Sequence, residues 1–372
     1  MAQCAEPGDG EMIRYSAIPA LALLVLCSVA TAEPYLAVSK GFQCSNCHVH
    51  PTGGGKRNVY GNVFAQTELA AQRLGDPSAA LWTGEVLSWL SVGADLRGGF
   101  ESVDVPDSST ESDFDVTRGT VYAKVSLFRD RLSVYVDEKI APDDIDNREL
   151  YLKLKTVDNK YFLAAGQFFL PYGLRLEDDS AFIRQATGVN FNIPDRGVQI
   201  GYESGPWSTQ LSLTNGTGTG TVLESADRVS FVAHYVRQQW RAGVSLSSTD
   251  SATGDRQMQN AFIGFKTGRF VWLGELDFIS DEVPGAPSVD AIAGLLEGNW
   301  LFRKGHNLKV SYEYLDPNDD ISEDHRIRWS ILWEYAPVQF MQGRAGARFY
   351  DGIPQAPSQN RDEFFAELHV FF

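Results

Sequence analysis

Apolar and polar side chains alternate along most of this chain. In residues 131–137, Leu132, Val134 and Val136 share one face, and Ser133, Tyr135 and Asp137 share the other. Residues 308–314 set Leu308, Val310, Tyr312 and Tyr314 against Lys309, Ser311 and Glu313. Residues 327–335 set Ile327, Trp329, Ile331, Trp333 and Tyr335 against Arg328, Ser330 and Glu334. A period of two marks strands with two unlike faces. The pattern predicts strands over 85–102, 114–128, 131–140, 147–157, 160–170, 195–203, 206–214, 227–237, 239–249, 257–266, 269–280, 289–303, 306–316, 323–335, 337–350 and 361–372.

The connections alternate as well. Tight turns fall at Arg129-Asp130, Asp158-Asn159, Ser204-Gly205, Gln238, Thr267-Gly268, Lys304-Gly305 and Ala336. Longer acidic or Gly/Ser/Pro-rich loops fall near 103–113, 141–146, 171–194, 215–226, 250–256, 281–288, 317–322 and 351–360. An even strand count, with short turns at one end and long loops at the other, is the arrangement of an outer-membrane barrel. The expected fold is all-β: an antiparallel outer-membrane β-barrel of about 16 strands. The final alternation, Phe364, Ala366, Leu368, Val370 and Phe372, closes the chain on an aromatic, and aromatics at strand ends suit interfacial girdles. Both barrel termini fall on the short-turn side, which is periplasmic in such barrels. The 24-residue loop 171–194 is long enough to be functional or folded inward, and is read as a constriction loop with a short helix near 178–185.

The chain ahead of the barrel reads differently. Met12-Ile13-Arg14, an apolar run over 17–29 and Ala30-Thr31-Ala32 form an export signal with cleavage before Glu33. Glu6, Asp9 and Glu11 do not suit the start of a signal, which makes Met12 a candidate true start. Residues 1–32 are therefore the signal peptide, 33–83 a separate small segment and 84–372 the barrel. Cys4 and Cys27 leave with the signal, so Cys44 and Cys47 are the thiols that remain. After the signal no apolar run reaches the ~20 residues of a membrane helix. The net charge of −16 argues against nucleic-acid binding.

Residues 44–48 carry the candidate chemistry. Cys44-Ser45-Asn46-Cys47-His48 is the c-type haem attachment pattern. Each thiol adds to one vinyl group of the porphyrin, and the adjacent imidazole reaches the iron. A redox disulfide and half a zinc site are the alternatives. Zinc asks for about four ligands, and a thioredoxin-like pair asks for a βαβ setting. The expected cofactor is one haem c, with Cys44 and Cys47 as thioether links and His48 as proximal ligand. His50, two residues on, is the nearest second-ligand candidate, set against a place at the surface or beside the ligand shell. The segment has no Met; the other histidines are His234, His306, His325 and His369. Gly53-Gly54-Gly55-Lys56-Arg57 lacks phosphate-loop spacing and reads as a bend with two bases, placed for haem propionates. Helical spacing follows over 59–74 until Asp76-Pro77.

Alternation assigns Arg118, Lys124, Lys153, Lys155, Arg241, Lys309, Arg326, Arg328, Arg344 and Arg348 to the lumen, with Glu149, Glu313 and Glu334. They read as ordinary wall charge in a wet pore or as a basic stripe for anions. Acidic loops at Asp143-Asp144-Ile145-Asp146, Glu177-Asp178-Asp179 and 316–324 would concentrate cations, including hard divalent metals, or bridge lipopolysaccharide through calcium.

A signal, one Cys-x-x-Cys-His segment and a barrel in one chain resemble the fused monohaem cytochrome–porins of the outer membrane, among them the iron oxidases of iron-oxidising bacteria. The motif likeness covers residues 42–64, including Gly61-Asn62-Val63-Phe64. Residues 166–173, with Pro171-Tyr172-Gly173, resemble anion-type porins. The resemblance implies outer-membrane electron transfer between an extracellular donor, Fe(II) or a small molecule, and a periplasmic c-type cytochrome. The haem segment would lie on the periplasmic side or in the lumen, surrounded by outer-membrane lipid. It implies an Fe(II)-oxidising cytochrome without acid–base or nucleophilic catalytic residues. The other readings are an outward conduit to extracellular acceptors and a diffusion porin for small anionic solutes whose haem segment regulates or docks.

Overall fold

Each alternating stretch forms a strand, and consecutive strands pair antiparallel. The structure, a computed structural model, describes residues 33–76, 78–189, 193–216 and 227–372. The expected signal, residues 1–32, lies outside them. The strands are β1 (Glu85–Leu87), β2 (Leu90–Asp104), β3 (Glu111–Leu127), β4 (Leu132–Ala141), β5 (Asp146–Lys155) and β6 (Tyr161–Phe168). There follow β7 (Asp195–Ser204), β8 (Trp207–Thr214), β9 (Asp227–Arg237), β10 (Trp240–Asp250), β11 (Asp255–Thr267) and β12 (Phe270–Glu282). The last are β13 (Val289–Arg303), β14 (His306–Asp316), β15 (Arg326–Tyr335), β16 (Met341–Asp351) and β17 (Asp362–Phe371). The final strand pairs with β2, from Asp362↔Asp104 to Phe371↔Asp95, closing a ring of 16 with β1 as a short addition.

The side-chain distribution inverts that of a soluble protein. On β5, Leu150, Leu152 and Leu154 are 49%, 45% and 51% exposed, whereas Glu149 and Tyr151, which alternate with them, are 0% and 3% exposed. Arg328 and Glu334 are buried beside exposed Trp329, Ile331 and Trp333. An apolar outside with a polar inside is the membrane-barrel pattern. Aromatic rings gather near the short-turn end, with Trp207–Tyr235 centroids 4.8 Å apart and His306–Tyr335 centroids 4.1 Å apart.

Two details depart from the alternation pattern. Residues 85–87 form their own strand, which turns back on β2 instead of continuing into it. The stretch expected from 337 enters the sheet at Met341, because Pro337 has no N–H to offer a ladder. There Ala71 N–H donates to Ala336 O at 2.8 Å.

The N-terminal residues lie inside the ring. Helix α1 (Pro34–Lys40) starts on proline and ends at Gly41 with φ 69°. Tyr35 OH donates to Glu334 on β15 at 2.7 Å, Lys309 on β14 pairs with Glu33 at 3.0 Å, and Lys56 N–H donates to Tyr135 OH on β4 at 3.0 Å. Contacts to β4 on one side and to β14 and β15 on another hold the segment within the lumen. The loop after β6 turns inward as expected, and its short helix α3 (Phe182–Thr187) begins later than the sequence suggested. Tyr35 and Val38 pack with Leu174, Phe182 and Ile183 of that loop and with Phe262 and Leu273 of the wall.

Candidate functional site

The Cys-x-x-Cys-His motif is a single tight turn. Residues Cys44–Asn46 form a 3₁₀ turn, and His48 N–H donates to Cys44 O at 3.0 Å. Both thiols are free. Asn58 ties this turn to the next helix, α2 (Val59–Phe64). Its side-chain oxygen accepts from Gly61 N–H at 2.9 Å, and its Nδ2 donates to Ser45 O and Asn46 O at 3.0 Å each. Gly61 lets the helix lie directly on the motif: a Cβ there would stand 2.1 Å from Cys47 O. Between the two, Val49 N–H donates to Lys56 O at 3.0 Å, closing a small loop. Gly53, Gly54 and Gly55 turn that loop with φ of 93°, 72° and 59°.

Cys44, Cys47 and His48 line one cavity. Phe42, Leu36, Phe64 and Leu69 form apolar walls, Leu174 and Arg175 come from the inward loop, and Arg241 comes from β10. Burial above all, with Arg57 and Arg175 beside it, pulls the His48 imidazole down to about 3, so it is neutral. Its buried Nδ1 has no hydrogen-bond partner. Burial pushes the Cys47 thiol up to about 11, opposite to the lowered values of reactive redox thiols. A neutral imidazole and two thiols on one turn, facing a largely apolar cavity, are the donor set that haem c takes.

No family model matches the sequence, and no curated protein does. Solved structures do resemble it. An anion-selective porin from Comamonas acidovorans superposes with a TM-score of 0.63 at 8% identity, covering 76% of this chain and 99% of its own. A loop-deletion mutant of OmpT, an outer membrane protein of Vibrio cholerae, gives 0.60 at 14%, covering 76% and 99%. The outer membrane channel DcaP of Acinetobacter baumannii gives 0.56 at 14%, covering 82% and 100%. The fold is therefore that of the outer-membrane porin-like barrels.

Within this barrel His50 turns away from the cavity. It is 1% exposed, its Nε2 lies 3.3 Å from Glu149 Oε1, and Thr52 N–H donates to its Nδ1 at 3.2 Å. Among the described residues, His48 is the histidine that lines the cavity. Arg57 lines it too, whereas Lys56 Nζ donates to Arg57 O at 3.0 Å. Of the lumen set, Lys153, Arg241, Lys309, Arg328 and Arg344 are buried inside, as are Glu149, Glu313 and Glu334. Leu174, Arg175 and Asn58 are the site residues that alternation and motif missed. The Asn-x-x-Gly spacing of an N-cap was the available signal for Asn58; nothing local marks the other two.

Arg175 joins the two inward segments. Its Nη1 donates to Gly53 O at 2.5 Å and to Thr52 Oγ1 at 3.1 Å, and its guanidinium lies 4.4 Å over the Phe169 ring.

Proposed function

We propose that this is an outer-membrane electron conduit. One c-type haem, held by Cys44, Cys47 and His48, passes electrons from a donor at the outer mouth to a periplasmic c-type cytochrome. The observation that carries this reading is that the two thiols and the neutral imidazole line one cavity inside the ring of strands. Haem supplies one-electron chemistry at a potential set by its ligands and burial. The chain would supply the rest. His48 offers a lone pair without first losing a proton. Cys44 and Cys47 fix the group on one turn. The α1 segment below and the loop carrying Leu174 and Arg175 above keep water from the site.

Acidic side chains crowd the long-loop end, with Asp143, Asp144, Asp319 and Asp320 exposed. Such a field favours a hard cation over an anion, which makes Fe(II) the donor best matched to the outer mouth. The hydrocarbon layer is ~30 Å thick, so a single centre serves both sides when it lies within the barrel.

The test is optical. Purified chain should give about one haem per polypeptide by pyridine haemochrome, as one attachment motif requires, and the C44A/C47A variant should give none. Intact membranes should show the ferrous spectrum on addition of Fe(II). A colourless protein, or a haem indifferent to Fe(II) and to reduced periplasmic cytochrome, would overturn the reading. The diffusion-porin alternative draws on the fold shared with the anion-selective porin, and conductance separates the two.

A further inference from the structure

The two ends of the barrel carry opposite charge. The long loops are acidic, as the net −16 leads one to expect. The short-turn end is the exception. Arg129, Arg131, Arg237, Arg269, Arg303 and Lys304 are exposed there, and none forms an ion pair with a described carboxylate. Three acids of the same end are held by lysines: Asp130 by Lys124 and by Lys155 at 3.0 Å, Asp158 by Lys160 at 3.5 Å, and Glu68 by Lys40 at 2.8 Å; Asp76 and Glu85 are exposed without such a partner and are outnumbered by the six bases. The uncompensated charge of this rim is therefore positive.

An aromatic bridge leads from the site to the same rim. Phe42 and Phe64 line the cavity of Cys44, Cys47 and His48. Tyr60 packs on both, with centroids 5.6 Å from Phe42 and 6.4 Å from Phe64, and is itself 47% exposed beside Val59 at 42%. Arg129, Val59 and Tyr60 share an open groove with Leu87 and Trp89, which are 48% and 49% exposed. This is an apolar centre within a ring of bases, the layout of a transient electrostatically steered complex.

We infer that the short-turn rim is the docking face for an acidic soluble redox protein, centred on Tyr60 and steered by the arginines of the turns. The inference rests on the electron-conduit reading and specifies its partner: the face presented to this barrel carries carboxylates. Encounter is governed by exposed charge, so it weakens steeply with salt.

The probe is cytochrome c with its lysines succinylated, compared with the unmodified basic protein, on full-length chain in nanodiscs. Binding is measured by biolayer interferometry and electron transfer by stopped flow. The succinylated probe should bind at least about tenfold tighter than the basic one, and should lose that advantage between about 20 mM and about 200 mM salt. The R129E/R131E/R303E/K304E variant should lose selectivity, and Y60A should weaken binding at every salt concentration. The outer-loop variant D319N/D320N should bind as the native chain does. Heat-modifiable migration on gels establishes that each variant is a folded barrel. Equal binding of the two probes would overturn the inference. So would a reversal variant that changes only the affinity for anionic phospholipid vesicles, which would assign the rim to lipid headgroups. Selective binding by a chain without covalent haem would support the docking face while overturning the electron-conduit reading.

Discussion

Gly61 and Lys56 show how much of the site rests on single side chains. A Cβ at Gly61 would lie 2.1 Å from the carbonyl oxygen of Cys47, and this contact is with backbone, which cannot swing away. Gly61→Ala should therefore displace α2 from the motif turn at a cost of about 1–3 kcal/mol. Haem content, read as visible absorbance relative to protein, should fall while the barrel still migrates as folded. Lys56 is 2% exposed, and burial first, then the Lys124 charge, lowers its ammonium from 10.5 to about 8. Its folded value lies below its unfolded one, so the charged form is disfavoured in the folded state. The penalty is complete below about pH 8 and relieved as pH rises from there toward 10.5. Thermal unfolding of the N-terminal segment should shift upward between pH 7 and pH 10, by an equivalent of up to about 3 kcal/mol. Lys56→Met should be more stable at pH 7 and flat across that range; an equal slope in native and variant chains would refute the assignment.

Among the elements, the strands were legible because alternation is a local property with a fixed period. The 327–335 pattern appears as β15, Arg326–Tyr335, with Arg328 and Glu334 inside. The Cys-x-x-Cys-His turn was equally legible, since two thiols and an imidazole within five residues define their own geometry. The walls of its cavity were not. Arg175 meets Gly53 across 122 positions of sequence, and Arg241 Nη1 reaches Cys44 Sγ at 3.4 Å across 197. No periodicity or spacing encodes such pairs. The surroundings of His50 were out of reach for the same reason, because Glu149, 3.3 Å from its Nε2, lies on a distant strand. The Arg175 contact makes the inward loop and the glycine loop one unit. Arg175→Ala removes donors to Gly53 O and Thr52 Oγ1, a loss of about 1.5–3 kcal/mol for charge-assisted bonds. Hydrogen exchange should then accelerate at the amides of residues 50–56 and 172–176 and stay unchanged on β8 and β9. Uniform acceleration would mean global destabilisation instead.

At the scale of the whole molecule, the lumen decides between conduit and pore. A barrel of 16–18 strands encloses an aqueous channel when nothing occupies it. Here two segments occupy it, and both are bolted to the wall by buried ion pairs. From the short-turn end, Glu33 pairs with Lys309 at 3.0 Å. From the long-loop end, Glu177 pairs with Arg97 at 2.5 Å, Asp178 with Arg328 at 2.9 Å and Arg184 with Glu275 at 3.1 Å. Removing one member of a buried pair typically costs ~3–5 kcal/mol, because the other is left charged and unsolvated. The plug should therefore stay seated on the time scale of a single-channel recording. Full-length protein in a planar bilayer should conduct little. Deleting residues 33–83 should raise conductance in part, since the inward loop remains. Shortening that loop over 176–188 as well should raise it further, towards that of an open barrel of this strand number. Full-length protein that already conducts as well as the double deletion would mean the lumen opens freely, and solute diffusion would become the better account of the barrel.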